Sequence, residues 1–235
     1  MRHCTLREAL DPPALEAALD GSEQLTLLHT LGLRCPQAAA ADPAAAVHTN
    51  LLLTRQLLQS AIAAEPDVLV LLSSIWAEDP SSLLGASLAA AELSLLEAAP
   101  HLSDCRLAVL RLPHAFDQQA PTAAEHGRRL EASRAALDAL AAHPVGAEPL
   151  LLHWPADLDA PQHLQATALQ AVLPPPGEPL LGWLQRLSSP LQRRDQDAVA
   201  DALLTLFASA NAHQQPCPQN SAQPSTAESG SADHR

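Results

Sequence analysis

Apolar residues recur along this chain in two alternating rhythms. Residues 25–30 (LTLLHT), 68–73 (VLVLLS) and 106–112 (RLAVLRL) are short apolar or alternating runs, and 150–153 reads as one last strand. Between them lie stretches with helical spacing. Residues 43–64 place Leu51, Leu52, Leu58 and Ile62 along one inner face. Residues 81–99 open on Ser81 or Ser82 as N-cap and stop before Pro100. Residues 123–142 carry Arg128, Arg129, Glu131 and Asp138 on a polar side, and 12–20 read as a short helix closed by Gly21. Strand and helix in alternation predict an α/β fold, a parallel sheet with crossover helices.

Beyond Pro174-Pro175-Pro176-Gly177 the pattern changes. Residues 180–210 predict one or two helices broken near Ser188-Ser189-Pro190. From Asn211 onward the chain is Gln, Pro, Ser, Ala and Asn with almost no bulky apolar residue, which predicts a disordered tail. The expected organisation is therefore a sheet domain over 1–172, a helical segment over 173–210 and a tail over 211–235.

Composition narrows the chemistry. Among 235 residues there are 13 basic and 26 acidic side chains, giving a net charge of -13, and every basic residue is arginine. Lysine and tyrosine are both absent. A Schiff-base lysine, the lysine of a phosphate-cradling loop and a Tyr-x-x-x-Lys proton relay are thereby excluded. The acidic balance leaves no electrostatic footprint for nucleic acid or an anionic membrane. The first ten residues include Arg2, Arg7 and Glu8 without an apolar core, and no unbroken apolar run reaches about 18 residues. A soluble, cytoplasmic chain is expected.

Isolated motifs are weak. Cys4, Cys35, Cys105 and Cys217 are scattered and form no C-x-x-C pair, so they read as reduced thiols. His143, His153 and His163 recur every ten residues, a spacing that does not share a helical face, and prolines interrupt the segment; no metal site is expected. No two of the eight glycines lie within two positions, so no dinucleotide fingerprint exists. Gly177 and Gly182 have P-loop spacing, but Trp183 stands where lysine is needed. Gly85-Ala86-Ser87-Leu88-Ala89 lacks the strand that must lead into a nucleophile elbow, and reads as a small-residue helix packed on a neighbour. Asp104, Asp157 and Asp159 show no pairing, Arg193-Arg194 reads as solvated helix surface, and Trp76, Trp154 and Trp183 read as packing residues.

Two segments together are more specific: 33–50 (LRCPQAAAADPAAAVHTN) and 71–92 (LLSSIWAEDPSSLLGASLAAAE). Taken with the helix and strand between them, they resemble the extended short-chain dehydrogenase/reductases, specifically the CapD-like nucleotide-sugar 4,6-dehydratases and epimerases of polysaccharide biosynthesis. Asp42-Pro43, Val47, Thr49-Asn50, Ser73, Pro80, Gly85-Ala86 and Glu92 carry the likeness, His29 falls at a family strand end, and Arg111 matches a family arginine. The stretch covered is about residues 6–116, with an echo in the last helix. The resemblance implies a partial Rossmann-like sheet, the C-terminal half of a doubly wound fold, with a helical C-terminal appendage.

The departures shape the functional expectation. The Gly-rich NAD(P)-binding half of the family has no counterpart here. Ile75 and Trp76 stand where the family has aspartate and lysine, Leu88 where it has the nicotinamide-ribose lysine, and Leu84 where this branch has methionine. Asn50, Ser73 and Ser74 remain as a candidate polar site. None of Ile75, Trp76, Leu84 or Leu88 can exchange a proton, so the expected protein is a degenerate, non-catalytic member without cofactor or metal. It would pair with itself or with a full-length paralogue through the family's helical surface. The alternatives are a nucleotide-sugar binding module without turnover, and an enzyme completed by another chain.

Overall fold

The computed structural model describes residues 25–30, 32–113, 123–154, 164–172 and 179–207, together with positions 13, 17 and 176. The helix expected over 12–20, apart from two positions, and the tail expected over 211–235 lie outside the described residues. One sheet contains β1 (Thr26–His29), β2 (Val68–Ser74), β3 (Arg106–Leu112), β4 (Leu150–His153) and β5 (Gln165–Ala168), in that spatial order. The pairs β1–β2, β2–β3 and β3–β4 are parallel, and β5 runs antiparallel to β4. The fold is mixed α/β with crossover helices, as the alternation predicts. Among the described residues strand order follows chain order without reversal. The sequence reading ends the sheet at β4. The segment QATA of β5 has no hydrophobic pattern of its own, and its ladder with β4 makes it a strand.

The helix expected over 43–64 is present in three pieces: α2 (Pro43–Ala46), a π-helical segment (Val47–Leu52) and α3 (Leu53–Ala64). A short α1 (Pro36–Ala41) precedes it. Asp42 opens α2 by accepting a hydrogen bond from the Ala45 amide at 2.9 Å. The wide turn rotates the residues that follow, and Val47, Asn50 and Leu51 are all buried within it.

Helix α4 (Leu83–Ala98) is the centre of the molecule. Ser82 caps it, accepting from the Gly85 amide at 3.0 Å, as the sequence predicts for one of the two serines. One side of α4 sets Leu95 and Ala98 against Leu69, Leu71, Leu107 and Val109 of the sheet. The opposite side sets Ala86, Ala89, Ala90 and Leu93 against the C-terminal helices. A helix covered on both sides has no polar stripe. The stretch Leu83–His101 is therefore apolar and long enough to cross a bilayer by composition, and most of it is buried inside this fold. Small residues are needed where packing is closest: a Cβ on Gly85 would strike the carbonyl oxygens of Asp79 and Trp76.

Helix α5 (Ala123–Ala142) joins β3 to β4, and Ala132, Ala136 and Leu140 are its buried positions among those described. After a single turn, α6 (Leu169–Val172), come α7 (Leu180–Arg193) and α8 (Gln196–Thr205). The break expected at Ser188-Ser189-Pro190 falls instead at Arg194, which adopts φ 55°. Pro190 lies in the last turn of α7, where little helix remains for it to disturb. Asp195 then caps α8 through the Ala198 amide at 3.1 Å. Leu180, Trp183, Leu187, Val199, Leu203 and Phe207 close a second core over α4 and the π-helical segment. Gln196 fastens α8 to the start of α2, donating to Asp42 Oδ1 at 3.0 Å and accepting from the Ala44 amide at 3.1 Å.

Candidate functional site

Strand register arranges the α4-facing side of the sheet in rows. Leu27, Leu69 and Leu107 form one row, and His29, Leu71, Val109 and Leu151 form the next. Two residues further, about 6.6 Å along the strands, the row is Ser73, Arg111 and His153. The same face thus changes from apolar to polar at the carboxyl ends of the parallel strands, where open α/β sheets place their ligands.

Arg111 organises this end. Its side chain is 0% exposed, as is that of Glu92, which α4 brings down one turn before Leu95. The two meet fork to fork: Arg111 Nε donates to Glu92 Oε1 at 3.0 Å and Nη2 to Oε2 at 2.6 Å. Nη1 reaches Glu78 Oε1 at 3.6 Å and His153 Nε2 at 3.4 Å. Glu78 Oε1 in turn lies 3.2 Å from His153 Nδ1. Burial opposes the charge on Arg111, but hydrogen bonds and attraction from Glu92, then Glu78, outweigh it and raise its proton affinity above the ordinary value. For His153 the balance runs the other way. Desolvation lowers its pKa, Glu78 and Glu92 push up, Arg111 pushes down, and the net direction is down.

The polar residues singled out from sequence are divided by the fold. Asn50 is buried in the π-helical segment and holds the chain after β1: Oδ1 accepts from the Leu33 amide at 2.6 Å, while Nδ2 donates to Leu33 O at 3.2 Å and to Ser87 Oγ at 2.7 Å. Its own carbonyl accepts from Thr54 Oγ1 at 2.6 Å, and Thr54 Oγ1 lies 2.9 Å from His29 Nε2. Burial, aided by Arg34, lowers the His29 pKa to about 4. Thr54 has already given its one proton to Asn50, so His29 Nε2 is the donor to Thr54 Oγ1. Ser74 Oγ accepts from the Trp76 amide at 3.5 Å and opens a 3₁₀ turn, Ile75–Glu78. Ser73 sits in the polar row, buried, with a hydroxyl that has no hydrogen-bond partner among the described residues. Asn50 and Ser74 are spent on backbone, and Ser73 alone retains an unused polar atom beside Arg111.

The four positions at which the resemblance implies other residues lie on the turn after β2 and on α4. Ile75 and Trp76 belong to the 3₁₀ turn and are partly buried. Leu84 and Leu88 stand on successive turns of α4 at 1% and 5% exposure. Leu84 packs with Ala39, Ala46 and Ala77.

Nothing in the sequence pairs Glu78 with His153. Glu78 occurs within an ordinary polar turn, and the ten-residue spacing of His153 relates it only to His143 and His163. No spacing rule links them; they meet because β4 lies beside β3 in register. His143 is elsewhere, with Nε2 2.8 Å from Glu148 O, and His163 is outside the described residues. At the other end of the sheet an open cleft of about 780 Å³ runs between Leu93, Leu96 and Glu97 of α4 and the Gly146–Pro149 loop.

No protein-family model and no curated protein sequence matches the chain. Among solved structures it is similar to Pen from Bacillus thuringiensis, with 16% identity and a TM-score of 0.49, over 68% of this chain and 54% of that one. It thus spans about half the length of the Bacillus protein. RMD from Pseudomonas aeruginosa, complexed with NADPH, gives 16% identity and a TM-score of 0.46 over 85% of this chain and 86% of its own. The UDP-Glc/GlcNAc 4-epimerase of Campylobacter jejuni gives 12% identity and a TM-score of 0.41, over 77% and 67%.

Proposed function

We propose that this chain is a non-catalytic relative of the nucleotide-sugar dehydratases and epimerases that its sequence resembles. The observation that carries this reading is the burial of Leu84 and Leu88. Leu88, at the position to which the resemblance assigns ribose binding, and Leu84 one turn before it are aliphatic side chains at 5% and 1% exposure, serving as core of α4. A dehydratase must accept a hydride, deprotonate a sugar hydroxyl and eliminate water. Leucine at both positions, with Ile75 and Trp76 beside them, supplies neither acid nor base. Asn50 and Ser74 are already engaged in holding backbone.

The test is turnover by the full-length protein with NAD or NADP and a UDP-N-acetylhexosamine, followed by nicotinamide absorbance and by NMR of the sugar. Unchanged substrate is the expected result. Appearance of a 4-keto sugar, or of its epimer, would overturn the proposal.

A second reading, nucleotide-sugar binding without turnover, draws support from Ser73, whose buried hydroxyl stands unused next to Arg111. Calorimetry with UDP-sugars separates the two readings: a heat of binding lost in Ser73→Ala favours recognition, and no heat favours a structural role. A pairing role through the outer face of α4 carries a condition. α7 and α8 cover that face with Leu180, Trp183, Leu187 and Val199, so a partner helix must displace them or dock elsewhere.

A further inference from the structure

We propose that His153 is a proton-gated bridge: neutral, it ties the turn after β2 to the end of β4 across Arg111, and protonated, it releases Arg111. The geometry dictates the neutral state. A guanidinium has only donors, so His153 Nε2, 3.4 Å from Arg111 Nη1, must present a lone pair. The ring proton then sits on Nδ1, pointing at Glu78 Oε1 at 3.2 Å. One imidazole thus joins an acceptor on the Ile75–Glu78 turn to a donor on β3, each contact fixing the tautomer that the other requires.

Protonation breaks only one of these contacts. Nε2–H would then face Arg111 N–H, donor against donor and cation against cation, while Nδ1–H still donates to a charged Glu78. The imidazolium therefore turns toward Glu78 and away from the sheet. Among the described residues the charged groups facing His153 are Glu78 from the turn, Arg111 from β3 and Glu92 from α4. Two carboxylates against one guanidinium leave the cluster one negative charge when the ring is neutral, and none when it is charged. Glu92 stays locked to Arg111 through two hydrogen bonds, so Glu78 is the carboxylate that follows the ring. The proton has a route in: the side chains of Glu78 and His153 are 47% and 24% exposed, while Arg111 is sealed.

Trp76 belongs to the same turn as Glu78, and Trp154 follows His153 directly in the chain. A pH titration of tryptophan fluorescence on the full-length protein therefore reads its opening, and long-range ¹H–¹⁵N correlation spectra read the His153 tautomer directly. The expected results are the Nδ1–H tautomer at neutral pH and uptake of one proton with a midpoint below 6.5, the ordinary histidine value. A fluorescence step should share that midpoint. His153→Gln keeps a donor and an acceptor without titrating, and should flatten the step. Glu78→Gln removes the anion that favours the charged ring and should lower the midpoint further. An Nε2–H tautomer, a midpoint at or above 6.5, or a step that survives in His153→Gln overturns the proposal. If His153→Gln fails to fold, the wild-type spectra alone decide it.

Discussion

Replacing Arg111 by methionine tests how the sheet end is held together. Methionine fills much of the arginine's volume and removes its charge, leaving Glu92 at 0% exposure without a countercharge or its two donors. Removing one member of a buried pair typically costs roughly 3–5 kcal/mol. A domain has only about 5–15 kcal/mol in total, so the loss takes a large share of it. Urea unfolding followed by far-UV circular dichroism measures that loss. Glu92→Met should cost a similar amount, because Arg111 then keeps only Glu78 at 3.6 Å and His153. The double variant removes both charges, and its cost should fall well below the sum of the two. Strictly additive losses, or singles costing under about 1 kcal/mol, would show that the pair is solvated and that the buried-charge reasoning is wrong.

Three further perturbations probe neighbouring features. Asn50→Ala leaves the Leu33 amide and carbonyl without their partner and should cost about 1–3 kcal/mol, with protease sensitivity rising over 32–35; unchanged stability would place those bonds in solvent exchange. Gly85→Ala drives a methyl into the Asp79 and Trp76 carbonyls. It should cost about 1–3 kcal/mol or more, measured as a lowered urea midpoint, and a neutral result would mean that the 3₁₀ turn yields freely. His29 supplies the acid dependence. Its folded pKa of about 4 lies below the ordinary 6.5, so its contribution is complete above pH 6.5 and is lost as pH falls toward 4. His29→Gln should therefore show a smaller drop in urea midpoint between pH 7 and pH 5 than the wild type, and equal drops would refute the assignment.

Much of the fold was legible because burial repeats with backbone period. The alternation in RLAVLRL locates β3 to the residue, and the proline-bounded run VLVLLS locates β2 to within one position. Ser82 was legible as a cap because its hydroxyl acts locally. Failures occurred where local pattern competes with context. QATA became β5 by pairing with a neighbour, and a proline in a last turn proved weaker than a left-handed Arg194 in ending a helix. The π-helical turn was invisible because it leaves the apolar spacing nearly helical.

The candidate site divides in the same way. Sequence by itself determined what this protein lacks: no lysine anywhere, and aliphatic Ile75 and Leu88 where its resemblance implies an aspartate and a lysine. Residue identity alone settles such points, since leucine cannot titrate in any fold. It also named Glu92 and Arg111 separately, as two matches 19 positions apart. Only the tertiary structure decided that they are one feature, that His153 joins them from 42 residues beyond Arg111, and that Asn50 serves a loop. Those contacts depend on strand register and on which turn of α4 lies over which row. Both are set by packing across the whole sheet, which no window of sequence contains.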